Sequence, residues 1–206
     1  PLVYCHFAES VDEQKYDQVL SMENLKNILE RCLLDYNETN PVMDLVLFAD
    51  AMQHVCRIVR IVKNGQGHAL LVGVGGSGKQ SLSKLAAFIC NFTVEQIVIH
   101  QTYGVADLKN DLQHMYARAG LKDEGVMFLF TDGQITDERV LVFLNDLLAS
   151  GDIPDLYTSD EKDAIISDGT PKAKAAQQAA GQAVDLSPGA VWGWYMQQIR
   201  ANLHCC

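Results

Sequence analysis

The run of residues 70–81, LLVGVGGSGKQS, constrains this chain more than any other part of its sequence. An apolar segment typical of a buried strand leads into four glycines, and a helical pattern follows. Glycines let backbone N–H groups turn toward phosphate oxygens, and the first turn of the helix adds a partial positive charge. The spacing Gly73-x4-Gly78-Lys79 matches a P-loop, in which the lysine contacts the β- and γ-phosphates of a nucleotide. The sequence therefore predicts a phosphate-binding loop between a strand and a helix.

The same glycines admit other interpretations. Gln80 stands where the P-loop pattern has a Ser or Thr that ligates Mg²⁺, so the motif departs from the pattern at its last position. The glycines also fit G-x-G-x-x-G, the dinucleotide-binding fingerprint, which expects an acidic residue about 20 positions later at the end of the second strand. That predicted strand ends at His100, and Glu95 precedes its start, so this interpretation is disfavoured. A glycine turn without a ligand is the third alternative.

A P-loop protein also needs an acidic residue at a second strand end to hold magnesium. Residues 126–132 predict an apolar strand that ends at Asp132. In hydrolases of this class a glutamate normally follows and activates the attacking water. Here Gly133 and then Gln134 follow, and the next acidic candidate is Glu138, at the start of a predicted helix where acids also favour the helix dipole. We therefore expect Asp132 at the metal, Glu138 as a weak candidate base, and little hydrolysis.

The rest of the chain alternates predicted helices and strands, which is typical of βαβ units and a mostly parallel sheet. Residues 1–20 show no clear period, and Ser21 is the predicted N-cap of the first helix. Thr136 or Asp137 is the predicted N-cap of a later helix, which is expected to end at Gly151. Residues 172–183, rich in Ala, Gln and Lys, are predicted to be a helical or floppy surface insert after an acidic stretch at 152–168. The predicted helices cover 21–36, 44–62, 79–90, 107–119 (ended by Gly120), 137–150 and 192–200, and the predicted strands cover 68–72, 96–100, 126–130 and 202–206.

Composition excludes several classes of function. The chain has 206 residues and a net charge of -10, which makes non-specific binding to nucleic acid or to anionic membranes a poor hypothesis. Its apolar runs are far shorter than the roughly 20 residues of a membrane span. The six cysteines contain no C-x-x-C pair, and no signal peptide is visible. Both observations favour reduced thiols over a framework of disulfides. The chain begins at Pro1 rather than Met, which predicts a piece of a longer protein.

The surroundings of the loop narrow the class of P-loop protein. A GTPase needs an N-K-x-D-type guanine contact, which this sequence lacks. A nucleoside monophosphate kinase has a similar length, but it begins with its P-loop and clamps phosphates with several arginines. Here 72 residues precede the loop, and the only arginines after it are Arg118, Arg139 and Arg200. The long helical lead-in instead favours an AAA+ module, in which segments before the first strand cover the adenine.

Longer stretches of the sequence carry a specific family resemblance. The chain resembles the fourth AAA+ module of an axonemal (ciliary) dynein heavy chain. The resemblance spans nearly the whole chain, apart from residues 172–183. It rests on PLVYCHF at 1–7, YNE at 36–38, MDLVLF at 43–48, GVGGSGKQSL at 73–82, FTDGQ at 130–134 and NDLLASGDIPDL at 145–156.

The resemblance implies an α/β fold, the three-layer P-loop NTPase architecture of an AAA+ large subdomain, preceded by helices and truncated before its last strands. Residues 1–40 would be a lead-in segment from the preceding module, and residues 41–206 the large subdomain, with an insert at 152–185. ATP or ADP and weakly held Mg²⁺ are the implied cofactors, with Asp132 as the metal ligand. The implied nucleotide contacts are Gly75, Gly76, Ser77, Gly78, Lys79, Gln80 and Ser81 for the phosphates and Val46 and Leu47 for the adenine.

The resemblance also implies a role for the chain in a larger molecule. That role is a regulatory nucleotide-binding module, with weak or no hydrolysis, inside a microtubule-based motor that hydrolyses ATP chiefly at its first module. The implied partners are neighbouring AAA+ modules, microtubules, and dynein intermediate and light chains, in the cytoplasm and the ciliary axoneme. Two alternatives stay open at this point: a self-contained small P-loop kinase, and a structural ring module with an empty nucleotide site.

Overall fold

The computed structural model describes residues 2–135 and 137–206, which form two compact units. The first unit runs to Val94 and includes Cys206, and the second is Glu95–Cys205. None of the helices in the described ranges combines the length and the apolar character needed to cross a membrane.

The first unit is mainly helical. Two short strands, paired antiparallel with Tyr4 opposite Gln18, lie in the segment where the sequence shows no period. Two-residue strands are too short to produce one, so sequence periodicity does not reveal this pair. The elements of the unit are strand β1 (Tyr4–Cys5), strand β2 (Asp17–Gln18), helix α1 (Met22–Thr39), helix α2 (Ala49–Val62) and helix α3 (Lys79–Ile89).

Helix α1 shows how local sequence sets an element. Its N-cap is Ser21, as predicted, and the Ser21 hydroxyl accepts a hydrogen bond from the Asn24 backbone N–H at 3.2 Å. The Tyr36 ring meets Phe88 of α3 edge-on, with ring centroids 5.5 Å apart. One face of α1 is buried against the other helices of the unit and carries Leu25, Leu29, Cys32 and Tyr36.

The second unit contains a parallel sheet covered by helices, which confirms the predicted α/β class. Strand β3 (Thr93–Glu95) reaches this unit with its last residue, and the sheet order is β3–β4–β5. Val126 of β4 lies opposite Leu203 of β5 in the parallel ladder, so the predicted C-terminal strand is confirmed. The further elements are helix α4 (Val105–Leu121), strand β4 (Val126–Phe128), helix α5 (Glu138–Ala149), helix α6 (Ser159–Ala179), helix α7 (Pro188–Asn202) and strand β5 (Leu203–Cys205).

Strand β4 lies at the centre of this core. All three of its residues are completely buried, as expected for a parallel strand covered on both faces. Helix α4 packs along α7, where Tyr195 contacts the backbone of Gly120. The buried Tyr116 hydroxyl of α4 donates to the Gly151 carbonyl at 2.7 Å, so the end of the α5 segment is fixed to α4.

The second helix begins later than predicted. Helix α2 starts at Ala49 rather than at residue 44, and residues 42–48 have no regular secondary structure. The Asn37 side chain binds both backbone groups of Met43, accepting from its N–H at 2.8 Å and donating to its carbonyl at 3.2 Å. Those contacts hold the start of the segment to the end of α1, so the apolar pattern of residues 44–48 does not become helix.

Two predicted strands are wrong. Residues 68–72 form no strand, and Leu70 and Val72 are 90% and 88% exposed. Residues 96–100 also lie outside the strands, because β3 ends at Glu95. The carbonyl of Ile97 instead accepts a hydrogen bond from a side chain, that of Gln134. An apolar run becomes a strand only where a neighbour pairs with its backbone, and the sequence pattern does not show whether that neighbour is present.

Several helices are longer than predicted, among them α7, which runs from Pro188 to Asn202 rather than over 192–200. Gly120 does not end α4, which runs from Val105 to Leu121. The missing side chain of Gly120 instead leaves room for the Tyr195 ring. The Ala/Gln/Lys-rich segment, residues 172–183, is helical up to Ala179 as part of α6, and helix is one of the two forms predicted for it. It is not purely a surface insert, since Ala173 is completely buried.

Candidate functional site

The glycine-rich loop leads directly into α3, as predicted. Gly76 and Gly78 both have φ of 76°, a left-handed conformation that favours glycine. A Cβ atom placed on Gly75 or Gly76 would meet no atom of the described residues within 4 Å. The loop therefore presents open backbone, with space beside it.

The start of α3 lacks the usual caps. Gly78 is the N-cap residue and provides no side-chain hydrogen bond, and the first turn contains no acidic residue. The first backbone N–H groups of a helix have no partner inside the helix, and the helix dipole places partial positive charge there. This end of α3 is consequently suited to receive an anion.

The Lys79 ammonium lies over the loop. Its Nζ donates to the carbonyls of Gly73 and Val74 at 2.6 and 2.8 Å and to the Ser77 hydroxyl at 3.3 Å. These acceptors are neutral, whereas a phosphate oxygen carries negative charge and makes the stronger, charge-assisted hydrogen bond. The arrangement suits an ammonium that exchanges loop carbonyls for a phosphate group.

The residues after Lys79 differ in exposure. Gln80 is exposed and Ser81 is half-buried. Ser83, which the sequence did not single out, is buried, and its hydroxyl donates to the Lys79 carbonyl at 2.9 Å and lies 3.0 Å from the Cys206 sulfur. The spacing of four residues from Lys79, one turn along the helix, is the sequence signal for the first of these contacts. Burial raises the pKa of the Cys206 thiol.

The predicted adenine-side segment lies beside the loop. Leu45 Cδ1 would be 3.7 Å from a Cβ atom on Gly78, so residues 43–48 and the phosphate-loop candidate meet within the first unit. Leu47 is buried, whereas Val46 is 73% exposed. The structure therefore brings the segment to the loop through Leu45, a contact that the sequence analysis missed.

Asp132 begins a short 3-10 turn, Asp132–Gln134, which follows Thr131 in the second unit. Asp132 and Gly133 are exposed. Within residues 2–135 and 137–206, the Asp132 carboxylate forms no hydrogen bond or ion pair. Its oxygens suit Mg²⁺, which usually keeps several waters and takes one or two carboxylates together with substrate phosphates. The same ranges contain no group of three metal-binding side chains, which this kind of site does not require.

Gln134 is a residue whose role the sequence analysis missed. Its side-chain amide binds the Thr131 backbone N–H at 2.7 Å and the Ile97 carbonyl at 2.6 Å. The sequence signal is a Thr followed three residues later by Gln, the capping-box spacing, at the end of an apolar strand.

Glu138 is the exposed first residue of α5. The preceding residue, Asp137, caps this helix and pairs with Arg139 at 2.6 Å. Asp137 is one of the two N-caps expected there; the other, Thr136, lies outside the described residues. Asp132, Gln134 and Glu138 belong to the second unit, whereas Lys79 and the segment around Val46 belong to the first.

Comparison with known proteins gives a consistent result. Residues 43–206 match a protein family described as P-loop containing dynein motor region D4. Across 204 residues, or 99% of the chain, it is 50% identical to the dynein alpha chain of the flagellar outer arm of Chlamydomonas reinhardtii. It is 47% identical to a ciliary dynein beta chain of Tripneustes gratilla and 48% identical to human dynein axonemal heavy chain 9, in each case over 98% of the chain. The chain spans 4% of the length of each of these relatives.

Proposed function

The chain belongs to the family of the P-loop containing dynein motor region D4, and from this premise we propose that it is an ATP- or ADP-binding AAA+ module of an axonemal dynein heavy chain. One observation carries the proposal. An open glycine loop with left-handed Gly76 and Gly78 leads into a helix start that has no side-chain cap, and the Lys79 ammonium lies over that loop. Backbone donors, helix dipole and ammonium together suit a polyphosphate.

Each loop residue has a role in this proposal. The backbone N–H groups of Gly75, Gly76, Ser77 and Gly78 hold phosphate oxygens, and Lys79 gives up its loop carbonyls to bind the β- and γ-phosphates. Residues 43–48 cover the adenine, with Val46 and Leu47 as the proposed lining. The contact between Leu45 and the Gly78 position supports this placement, since it brings the segment to the loop.

We assign magnesium to Asp132 and expect the ion to be held weakly. Bound together with a nucleotide, Mg²⁺ neutralises phosphate charge. Gln80 provides a neutral amide oxygen on a longer side chain than Ser or Thr, and Mg²⁺ tolerates little departure from octahedral geometry. Ser81, one position later and half-buried, is the assisting hydroxyl in this proposal.

The proposed role is regulatory, with weak or no hydrolysis. A positioned general base typically contributes about 10²–10⁴-fold to a rate, and Gly133 has no side chain to provide it. Glu138, on the first turn of α5, is the remaining candidate. A module that holds nucleotide without turning it over influences its neighbours through the bound state itself.

The wider context is part of the same proposal. The relatives carry ciliary, flagellar and axonemal names, which supports a place in the axoneme. Neighbouring AAA+ modules of one heavy chain would flank this one, with microtubules and dynein intermediate and light chains as partners of the whole motor. We assign residues 1–40 to a lead-in from the preceding module and residues 41–206 to this one. The family match beginning at residue 43 supports that boundary.

A structural module with an empty site is the second candidate function. It is favoured by one observation: the Lys79 ammonium already has three acceptors in the loop, so the ammonium is satisfied without a ligand. In that case nucleotide would add nothing to stability, and packing against neighbouring modules would be the whole role.

Calorimetric titration with ATP and ADP, in the presence of Mg²⁺, separates the two candidates. Hydrogen bonds to charged groups contribute about 1.5–3 kcal/mol, so Lys79→Ala should weaken binding about tenfold or more. Lys84→Ala is the matched control, because it removes the same charge from the same helix five residues away. If the unaltered protein releases no heat of binding, the structural candidate is correct. Equal affinity of Lys79→Ala and the unaltered protein would show that the loop is not the phosphate site.

A further inference from the structure

The geometry of the second unit points to Gln134 as a positioning residue, and we propose that its side-chain amide holds the turn that presents Asp132 to Mg²⁺. The inference rests on the proposed nucleotide function and adds a residue to which that function assigns no role. It predicts that the gain in nucleotide affinity on adding Mg²⁺ depends on Gln134, although Gln134 itself binds neither metal nor phosphate.

The amide of Gln134 joins two separate pieces of backbone. Its oxygen accepts from the Thr131 N–H at 2.7 Å and from the Thr131 hydroxyl at 3.2 Å. Its nitrogen donates to the Ile97 carbonyl at 2.6 Å. The orientation of the amide is fixed by its partners, since a backbone N–H only donates and a carbonyl only accepts. The backbone at Thr131, just before Asp132, is thereby attached to the chain that follows β3.

The turn is also closed from within. The Gln134 N–H donates to the Thr131 carbonyl at 2.9 Å, and the Ile135 N–H donates to the Asp132 carbonyl at 3.1 Å. Asp132 and Gly133 lie between these bonds and are exposed, and a Cβ atom on Gly133 would meet no atom of residues 2–135 and 137–206 within 4 Å. Packing against the described part of the chain therefore does not hold this part of the turn, and hydrogen bonds of Thr131 and Gln134 fix its two ends.

Both halves of the amide are needed. A carboxylate at position 134 keeps an acceptor for Thr131 but places negative charge against the Ile97 carbonyl, and an aliphatic side chain keeps neither contact. Without the hydrogen bonds of the Gln134 amide to Thr131 and Ile97, the Asp132 side chain is still present but can point in several directions. Mg²⁺ requires near-octahedral geometry, so a poorly directed carboxylate is a poor ligand even though its charge is unchanged.

The test compares nucleotide affinity with Mg²⁺ and with EDTA in the protein and its Gln134→Leu variant. We expect affinity in Mg²⁺ to fall about tenfold, and affinity in EDTA to stay within about twofold, because the phosphate loop is untouched. Amide hydrogen exchange gives a second readout that needs no ligand. The Thr131 N–H should exchange about tenfold faster in Gln134→Leu, since it loses its acceptor.

Gln113→Leu is the matched control. Gln113 is also a half-buried glutamine, on α4, whose amide donates to a carbonyl at 2.7 Å, but that carbonyl belongs to Leu156 and not to the turn or the chain that follows β3. The Gln113→Leu variant should lose thermal stability comparable to that of Gln134→Leu. It should keep the full rise in nucleotide affinity on adding Mg²⁺ and a normal hydrogen-exchange rate at the Thr131 N–H. If Gln134→Leu fails to fold, Gln134→Glu replaces it. We expect the nucleotide affinity of Gln134→Glu in Mg²⁺ to fall less than the tenfold expected for Gln134→Leu.

The outcomes separate this inference from the proposed function. If Asp132→Ala abolishes the magnesium gain while Gln134→Leu and Gln134→Glu retain it, the positioning role is wrong and the metal ligand stands. If Asp132→Ala also retains the gain, Asp132 is not the metal ligand and the inference fails with it. If the unaltered protein binds no nucleotide in either buffer, the proposed function itself is wrong.

Discussion

At the scale of single residues, Gly120 shows how tightly the core of the second unit is packed. It lies inside α4, and a Cβ atom there would be 2.2 Å from Tyr195 Cε2 and 3.1 Å from Ile199 Cγ1. Replacing a helical glycine usually stabilises a helix, but here the added methyl group enters space filled by a buried ring. We expect Gly120→Ala to lower the free energy of unfolding by about 1–3 kcal/mol, measured by urea denaturation.

Gly193→Ala is the control for this prediction. Gly193 also lies inside a helix, α7, and a Cβ atom there would meet nothing within 4 Å in the part of the chain that the structure describes. The substitution should therefore raise the free energy of unfolding by about 0.5–1 kcal/mol, through the lower conformational entropy of alanine in the unfolded chain. Equal effects of the two substitutions would contradict the packing argument.

At the scale of elements, the start of α5 depends on one ionised carboxylate. Asp137 accepts from the Arg139 backbone N–H at 2.8 Å and pairs with the Arg139 guanidinium. The guanidinium hydrogen bond, followed by the backbone bond, lowers the pKa of Asp137 to about 2. Because folding lowers this pKa, the carboxylate stabilises the folded state above its unfolded pKa of about 4, and that contribution is lost as the pH falls toward 2.

Asp137→Asn keeps an N-cap residue but cannot ionise, so it isolates this contribution. We expect the unaltered protein to be the more stable of the two in urea at pH 5, and the difference to shrink steadily down to pH 3. Arg139→Gln removes the partner that lowers the pKa and should reduce the same difference. If the protein and Asp137→Asn lose stability in parallel between pH 5 and pH 3, groups other than Asp137 are responsible for the loss of stability in acid.

At the scale of the whole molecule, the absence of a glutamate after Asp132 predicts that bound ATP persists. Gly133 provides no base, and electrostatic stabilisation of the transferring phosphoryl group would depend on Lys79 and a weakly held ion. We expect phosphate release from ATP no faster than in the Lys79→Ala variant, measured with a phosphate sensor. Gly133→Glu should not restore turnover by itself. If the unaltered protein instead releases phosphate at several turnovers per second and Lys79→Ala abolishes that release, the regulatory role is wrong. Glu138 then becomes the suspected base.

Much of the fold follows from short-range patterns. Ser21 and Asp137 act as the expected N-caps, and the left-handed Gly151 follows the end of α5 as predicted. The apolar run that gives β4 is buried on both faces. The phosphate-loop candidate was also predictable, because its glycines and Lys79 are consecutive and their spacing alone implies a turn into a helix. Each of these features is set by residues within a few positions of one another.

Only the tertiary structure decided the rest, since those features depend on residues far apart in the sequence. Asn37 holds Met43 outside a helix, Tyr195 fills the space above Gly120, and Gln134 joins Thr131 to Ile97, 37 residues away along the chain. The sequence by itself predicted most of the helices, and it nominated the loop for phosphate and the carboxylate for a metal that we propose. In the positioning role that we propose for Gln134, the direction of that carboxylate depends on hydrogen bonds between separate segments, and spacing along one segment carries no information about them.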